Sequence, residues 1–552
     1  MRVEYANVTR GGGAVRSPFL FWSAAGVLLV VSSVLHFWRI DAMPPGFYLD
    51  ESSNAYNAYC ISYTGSDEYG TTWPVFFRCF DDYHDPAMIY LLAPLVKTFG
   101  LQPAVARFPS GLFLLLASIT FAFLAHRYTQ NCWLSLLGGF CFSVLPWTFV
   151  VSRIITGGYT AMLWGMILGW LLLLLALEKK SSGCAVGAGV AWAFAMYAHN
   201  IGRPMTALLL AGFALAYFGV LKTEWRVGAA FMAGWLVALA PMAISVARSS
   251  HSLTSRFYKI GIFKDHPSGG ELFSRAASRY VEYFSPQFLF FNGDTNLRHH
   301  SGYGGELYLS LIPMILAGLY FLLRSSGKRP ACRFVVFGLL VYPAAAVLTQ
   351  DHMHSGRSIN GAIFWALTAT IGADFLWRKK GVGQLLLLLA GSAAIVEGTL
   401  YLKDYFGAYQ VRCRPAFQAA FTGALDDCFR ALREGETLYI SRSVLGSLTP
   451  PQNQDFKPFC YADILFFGKI DPATYMRTGI PKDRVSLYEG TIQRPGLLLR
   501  CNLSLVKPGT AGRLPDFTLN NEPLPVGAKL VQTVPVTSLM EYEIFEVQHT
   551  SR

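Results

Sequence analysis

The chain has 552 residues, of which 53% are hydrophobic and 14% are charged, and its formal net charge is +12. A soluble globular protein carries about 25% charged residues, so this composition excludes an ordinary soluble domain. The positive charge does not indicate nucleic-acid binding, because the basic residues fall mostly in short loops between apolar segments, as topology signals do.

Apolar segments close to the roughly 20 residues needed to cross a bilayer recur along the chain. The eleven predicted spans are 18–38, 105–126, 133–151, 159–177, 183–199, 204–221, 227–247, 307–323, 334–348, 359–377 and 384–402. A further apolar segment, 86–99, has about half the required length, and we expect it to lie in or on the membrane. The sequence therefore predicts a polytopic α-helical membrane protein with about 11–13 transmembrane helices.

The basic residues before the first span fall on the same predicted face as those in alternate later loops. The positive-inside rule assigns this face to the cytoplasm, so the N-terminus is predicted to be cytoplasmic. The first span is long and lacks a small-residue cleavage site, so we expect no cleavable signal peptide. Residues 1–402 are predicted to form the transmembrane module, and 403–552 a small extracytoplasmic α/β domain that recognises the acceptor or caps the cavity.

Two long loops, at about 39–104 and 248–306, are predicted on the external face and are rich in polar residues. Loops of this length are usually functional, although these two could merely cap the bundle. The first contains the adjacent carboxylates Asp50 and Glu51 shortly after an apolar span. A carboxylate near hydrocarbon is costly unless it is paired or faces a wet cavity. The pair is therefore either solvated or supplies a general base beside a lipid-borne substrate.

Other polar side chains collect at the predicted external ends of the spans. The candidates for substrate binding are Tyr83, His84, Arg153, Arg203, Asp294, Arg298, His299, His354 and Arg357. Guanidinium groups and protonated imidazoles suit a lipid-linked phosphate, whose departure needs charge stabilisation more than a proton. An acceptor hydroxyl instead needs a base, and a positioned carboxylate can act as one. The combination predicts sugar transfer from a polyprenyl phosphate.

An ordered series of motifs between residues 45 and 373 resembles a known superfamily. The motifs are Asp50-Glu51, Asn57-Ala-Tyr59, Gly65-x-Asp67-Glu68-x-Gly70, Pro74, Tyr83-His-Asp-Pro86, Tyr90-Leu, Arg107-Phe-Pro-Ser110, Pro146-Trp147, Ser152-Arg153, Phe291-Asn-Gly-Asp-Thr-Asn-Leu-Arg-His299 and His354-x-x-Arg357. Each motif alone is weak, but their order is similar to that of bacterial members of the protein O-mannosyltransferase and aminoarabinose transferase superfamily.

The resemblance implies a GT-C fold and an inverting glycosyltransferase with a polyprenyl-phosphate-linked donor. It implies transfer on the external face of a bacterial inner membrane, to a hydroxyl of a protein, lipid or glycan, as in protein glycosylation. Asp50 becomes the expected base and Glu51 its neighbour in the site. The residues expected to bind the donor phosphate are Arg298, His299, His354 and Arg357.

No cofactor is firmly predicted, and a divalent metal is doubtful. Aminoarabinose-transferase relatives carry a second aspartate after the third span, but segment 132–177 of this chain contains no Asp or Glu, and Arg153 lies in the corresponding region. Asp81 and Asp82 are weak metal candidates, since hard cations require several oxygen ligands. The resemblance to the mannosyltransferase branch favours a metal-independent mechanism.

Six of the ten cysteines are predicted to be external, where disulfides can form. A bond between Cys60 and Cys79 would close the loop that follows the acidic pair. The four remaining external cysteines allow three connectivities, which the sequence does not choose between: Cys413, Cys428, Cys460 and Cys501.

Two other functions remain as alternatives to a glycosyltransferase. One is a transporter or flippase of lipid-linked sugars, which is disfavoured because the chain shows no internal repeat and its polar residues concentrate at one membrane surface. The other is a catalytically inactive assembly factor with the same fold, against which the intact acidic motif argues.

Overall fold

The computed structural model describes residues 18–80, 82–248, 260–444, 460–502, 523–537 and 540–549. In chain order the α-helices are α1 (Pro18–Phe37), α2 (Leu49–Thr64), α3 (Pro86–Phe99), α4 (Pro103–Thr129), α5 (Cys132–Val144), α6 (Pro146–Phe149), α7 (Tyr159–Lys179), α8 (Ser182–Ala198), α9 (Gly202–Ala216), α10 (Phe218–Thr223), α11 (Trp225–Arg248), α12 (Gly269–Glu282), α13 (Ile312–Ser326), α14 (Pro330–Val341), α15 (Ala344–Val347), α16 (Ser355–Ser358), α17 (Gly361–Arg378), α18 (Val382–Phe406), α19 (Tyr409–Arg412), α20 (Ala419–Ala431), α21 (Tyr461–Phe467) and α22 (Pro472–Thr478). The strands are β1 (Phe77–Cys79), β2 (Asp82–His84), β3 (Thr437–Ile440), β4 (Val485–Leu487), β5 (Gly496–Asn502), β6 (Lys529–Thr537) and β7 (Met540–Val547).

Seven helical segments in the described ranges are long and apolar enough to cross a membrane, and the pair α5 and α6, bent by 59°, makes an eighth if it is one span. Every one of the eleven predicted spans coincides with a helix. However, α8 and α9 have 17 and 15 residues, and at about 1.5 Å per residue they fall short of a hydrocarbon core of about 30 Å. The chain is an integral membrane protein.

Helix α7 lies in the interior of the helical bundle, because 72% of its 18-residue apolar stretch is buried, whereas only 6% of the corresponding stretch of α1 is buried. Small residues allow this close packing. A Cβ added to Gly165 would lie 2.8 Å from the carbonyl oxygen of Ala191 on α8, and one on Gly169 would overlap the ring of Trp192. Side chains on these two glycines would therefore force α7 and α8 apart.

The chain divides into two compact units. Unit 1 comprises Met1–Ile40, Asp85–Met88 and Arg107–Gln410, and unit 2 comprises Asp41–His84, Ile89–Ala106 and Val411–Arg552. This division departs from the predicted boundary at residue 402, because most of the first long loop belongs with the tail. The helix carrying the acidic pair, α2, therefore shares a unit with the C-terminal domain.

The tail of unit 2 contains a five-stranded mixed sheet in the order β4-β3-β5-β7-β6. Strand β3 pairs in parallel with β4 and β5, whereas β7 pairs antiparallel with β5 and β6. All four residues of β3 are buried, as expected for a central parallel strand covered on both faces. The predicted small α/β tail domain is confirmed.

Candidate active site

The acidic pair lies in the first turn of α2, where the N-terminal backbone N–H groups favour negatively charged side chains. Glu51 is fully buried, and its Oε2 accepts a hydrogen bond from the backbone N–H of Tyr48 at 3.1 Å. This contact is the reciprocal half of a capping box, so Glu51 stabilises the start of the helix. The side chain of Asp50 is 28% exposed and is the carboxylate that a substrate can reach.

A histidine and an amide extend the site beside Asp50. His84 Nε2 lies 3.9 Å from Asp50 Oδ1, and His84 Nδ1 lies 2.8 Å from Asn54 Oδ1. If Nδ1 donates to the amide oxygen, the neutral ring presents its Nε2 lone pair towards Asp50, and a protonated ring would pair with the carboxylate. The structure thus brings together two predicted site residues, and the half-buried Tyr83 precedes His84 in β2.

Sequence reasoning missed Asn54, which follows Asp50 by four residues on α2. Two polar residues at this spacing lie on one face of a helix, so the i, i+4 pattern is the signal that would have indicated it.

A second polar cluster, in unit 1, brings together three predicted residues that are far apart in sequence. Asp294, His299 and His354 are all buried, and Nδ1 of each histidine lies 3.8 Å from Asp294 Oδ2. The two imidazole ring centroids are 4.4 Å apart. Asp294 and His299 lie in one loop, and His354 directly precedes α16, so two segments distant in sequence form this compact buried site.

Burial sets the charges in this cluster. It lowers the pKa of both His299 and His354 well below the usual range, and the charge of Arg357 lowers each further. Both rings are therefore neutral near pH 7, which corrects the expectation of protonated imidazoles. Burial also raises the pKa of Asp294 to about 6, opposed by hydrogen bonds from the backbone N–H groups of Asn296 and Ser355.

Glu306 is a buried member of the same site that sequence reasoning missed. Its Oε1 accepts hydrogen bonds from the backbone N–H of Asp294, at 3.2 Å, and from the hydroxyl of Ser355. Burial raises the pKa of Glu306 well above its usual value, against the hydrogen bond from Ser355. The sequence feature that could have indicated Glu306 is a single carboxylate directly before an apolar span, where an unpaired charge is costly.

Within the described residues, Asp294, His299 and His354 form the group whose spacing could hold a metal ion, with ligand atoms within 4.8 Å of one another. The hydrogen bonding and charges fit a cation poorly. Nδ1 of His354 accepts the backbone N–H of Arg357 at 3.2 Å, so the proton of the neutral ring lies on Nε2 and no lone pair remains for a ligand bond. The charges of Arg298 and Arg357 also reach the histidines.

The two arginines next to this cluster are only partly buried. The side chain of Arg357 is 12% exposed and pairs with Asp351 at 2.5 Å, whose carboxylate is 55% exposed. Arg298 is half-buried, and its Nε donates to Asn296 Oδ1 at 3.2 Å. Both positive charges therefore lie beside neutral imidazoles.

The other two predicted arginines contact protein groups. Arg153 is fully buried and donates to the carbonyl oxygens of Leu35, at 2.5 Å, and Trp38, at 2.7 Å. It therefore caps the C-terminal end of α1. Arg203 forms an ion pair with Asp85. The structure thus gives both guanidinium groups a protein partner at positions where the sequence predicted a substrate contact.

The weak metal candidates gain no support from the structure. Asp81 lies outside the described residues. Asp82 is buried in β2, and its Oδ1 accepts the backbone N–H of Tyr83 at 2.9 Å. Among the residues that the structure describes, Asp82 belongs to no group with metal-ligand spacing.

The predicted disulfide is wrong, because Cys60 and Cys79 are both free and buried. Cys79 Sγ instead lies 2.7 Å from Ser53 Oγ on α2. Burial raises the pKa of both thiols, which disfavours the thiolate through which a cysteine oxidises. The four tail cysteines are likewise buried: Cys413, Cys428, Cys460 and Cys501.

No family model and no curated protein matches this sequence. Its fold is nevertheless similar to that of solved membrane enzymes. The crystal structure of ArnT from Cupriavidus metallidurans bound to undecaprenyl phosphate matches with a TM-score of 0.53 at 14% identity, covering 95% of this chain and 97% of ArnT. The Archaeoglobus fulgidus oligosaccharyltransferase tethered with an acceptor peptide containing the NVT sequon matches with a TM-score of 0.51 at 11% identity, covering 85% of this chain and 64% of that enzyme.

Both solved proteins are GT-C glycosyltransferases. This chain has the GT-C fold. The predicted fold class is therefore confirmed. In this GT-C protein, Asp50 and His84 belong to unit 2, whereas the cluster around Asp294 belongs to unit 1.

Proposed function

We propose that this GT-C protein transfers a sugar from a polyprenyl-phosphate donor to an acceptor hydroxyl, with inversion, and that Asp50 is the general base. The observation that carries the proposal is the exposed Asp50 carboxylate, 3.9 Å from His84, beside a neighbouring Glu51 that is buried in a helix cap. The ArnT structure, which holds undecaprenyl phosphate, supports the class of donor.

In the proposed reaction the acceptor O–H gives its proton to Asp50 while its oxygen attacks the anomeric carbon. The bond from that carbon to the phosphate oxygen breaks, and its electron pair leaves with the polyprenyl phosphate. Attack opposite the leaving group inverts the anomeric configuration. A carboxylate can contribute about 10²–10⁴-fold as a general base when it lies within hydrogen-bond reach of the proton. After the transfer, the protonated Asp50 can donate a hydrogen bond to the Nε2 lone pair of His84.

The donor phosphate is proposed to bind beside Asp294, His299 and His354. Because His354 Nδ1 accepts the N–H of Arg357, its Nε2–H is available to donate to a phosphate oxygen. Arg298 and Arg357 supply positive charge to a leaving group that needs no proton. This arrangement supports a mechanism without a metal ion.

The proposed orientation has a cytoplasmic N-terminus and an extracytoplasmic site, as the distribution of Lys and Arg predicts. The proposed acceptors are hydroxyl groups of a protein, a lipid or a growing glycan at that face of a bacterial inner membrane.

The test offers radiolabelled polyprenyl-phosphate sugars and candidate acceptors to the purified protein in lipid nanodiscs, with and without chelator. We expect release of polyprenyl phosphate to fall at least about a hundredfold in Asp50→Asn. The control, Asp41→Asn, removes an exposed carboxylate of the same loop and should leave the rate unchanged. Arg357→Ala should raise the KM for the donor more than that for the acceptor, and chelator should have no effect.

Full activity in Asp50→Asn would remove the assignment of the base. Donor binding without turnover under every condition would favour the assembly factor, and donor movement across a bilayer without cleavage would favour the transporter.

A further inference from the structure

A short helix of the tail packs against the helix that carries the acidic pair, within unit 2. Asp463, on α21, accepts a hydrogen bond from the hydroxyl of Ser52 on α2, although the two residues are 411 positions apart. On the same short helix, Tyr461 donates its hydroxyl hydrogen to Glu68 Oε1 at 2.9 Å. These two side-chain contacts join α21 to the first loop, and one of them is to the residue directly after Glu51.

Asp463 is fully buried, and its Oδ2 has no hydrogen-bond partner among the described residues. Burial, followed by the charges of Glu51 and Asp50, raises the pKa of Asp463 to about 8, against the hydrogen bond from Ser52. The carboxyl is therefore mostly neutral near pH 7. It can accept from Ser52 without adding a third negative charge beside the acidic pair.

We propose that Asp463 is a positioning residue, which holds the first turn of α2 through Ser52 and thereby fixes the orientation of Asp50. The inference rests on the function proposed above, because Asp50 is the group being oriented. A base displaced by about 1 Å can lose about a hundredfold in rate, so a rigid first turn matters.

Apolar contacts between the same two segments should keep them packed together when Asp463 is changed, so a loss of positioning can be distinguished from a loss of folding. The rings of Phe47 and Phe466 are both buried and stack with centroids 4.6 Å apart. This packing next to Asp463 remains when the polar contact is removed. A substitution at Asp463 is therefore expected to loosen the first turn of α2 without separating the tail from the loop.

Other ionisable groups surround Asp463. Glu51 and Asp50 lie on α2, and the buried thiol of Cys460 directly precedes α21. Helix α20 also packs on α21, and its charged pair Asp426 and Arg430 is joined at 2.6 Å. Of these groups, Glu51 and Asp50 are the ones whose charges raise the pKa of the Asp463 carboxyl. The dependence of activity on alkaline pH can therefore be compared among variants of Asp463.

The test compares Asp463→Leu, Asp463→Asn and the control Asp483→Asn, which changes an exposed tail carboxylate. We expect Asp463→Leu to lower kcat at least about tenfold with the donor KM nearly unchanged. Asp463→Asn keeps an acceptor oxygen for Ser52 and should retain kcat within about threefold at pH 7. Above about pH 8 the wild type should lose activity as Asp463 ionises, whereas the Asn variant should not.

Wild-type kcat in Asp463→Leu would overturn the proposal. So would an Asn variant as impaired as the Leu variant, since that would mean that the carboxylate charge itself is required.

A second measurement does not depend on activity. Amide hydrogen exchange at residues 49–56 should be faster in Asp463→Leu than in wild type and in the Asp483→Asn control. If no protein, wild type included, turns over any donor, the proposed function fails while this measurement still tests Asp463. Unchanged exchange would overturn the positioning role on its own.

Discussion

At the scale of single residues, two adjacent carboxylates have different roles because of their places in one helical turn. Glu51 occupies the third position of α2, from which its side chain reaches back to the N–H of Tyr48. Asp50, one position earlier, remains partly exposed beside His84. The amino-acid types alone do not separate a base from a helix cap, whereas their positions relative to the start of the helix do.

His84 should matter for the chemical step more than for binding. We expect His84→Ala to lower kcat about ten- to a hundredfold with little change in KM, because it removes the Nε2 acceptor beside Asp50 for the proton that Asp50 gains. Initial rates over a range of acceptor concentrations would measure both constants. The matched control is His352→Ala, whose ring is 63% exposed and pairs with Glu282. Equal kcat values for the two variants would contradict this role.

At the scale of secondary-structure elements, polar side chains stabilise the helix ends near the site. Glu51 caps α2 at its start, and Arg153 caps α1 at its end. Periodic patterns predict where the apolar helices lie, and each predicted span indeed contains a helix. They do not predict the partners of such caps, because a buried guanidinium and one facing a phosphate look the same in a sequence.

The cap on α2 gives a stability prediction. Glu51→Ala should lower the free energy of unfolding of unit 2 by about 1–2 kcal/mol, because it removes the hydrogen bond from the N–H of Tyr48. Glu51→Gln keeps an acceptor oxygen and should lie much closer to wild type. Thermal unfolding in detergent would measure both variants. An equal loss in both would mean that the charge of Glu51, not the hydrogen bond, stabilises the helix.

At the scale of the whole molecule, buried carboxyls make stability depend on pH. Burial raises the pKa of Glu68 and Asp463 to about 8 each, from ordinary values of 4.5 and 3.8. The folded state therefore binds more protons than the unfolded state between those values. Stability from these groups is fully present below about pH 4 and is lost as the pH rises towards about 8.

We accordingly expect the midpoint temperature for unfolding of unit 2 to decrease as the pH is raised from mildly acidic to mildly alkaline values. Each unit of difference in pKa between the folded and unfolded states is worth about 1.4 kcal/mol. Hydrogen exchange in β3 and β5 across this pH range would follow the change. The double variant Glu68→Gln, Asp463→Asn should flatten the profile, and an unchanged slope in it would contradict the assignment.

The cysteines and the domain boundary are two features for which the structure differs from what the sequence indicated. An even number of external cysteines indicated disulfides, yet Cys60 and Cys79 lie buried as separate thiols. The change from apolar to mixed composition near residue 402 indicated a boundary, yet most of the first loop belongs to the same unit as the tail. Both patterns are properties of composition, whereas thiol pairing and unit membership depend on which surfaces meet.

The sequence by itself determined the membrane class, the helical segments, the small α/β tail and the acidic pair at the start of the first loop, because each depends on local hydrophobicity or on adjacent residues. Only the tertiary structure decided that Glu306 joins Asp294 and that Asp463 reaches Ser52 across 411 positions. Contacts between buried polar groups distant in sequence leave no periodic signal, since their free energy arises only when packing excludes water from both partners.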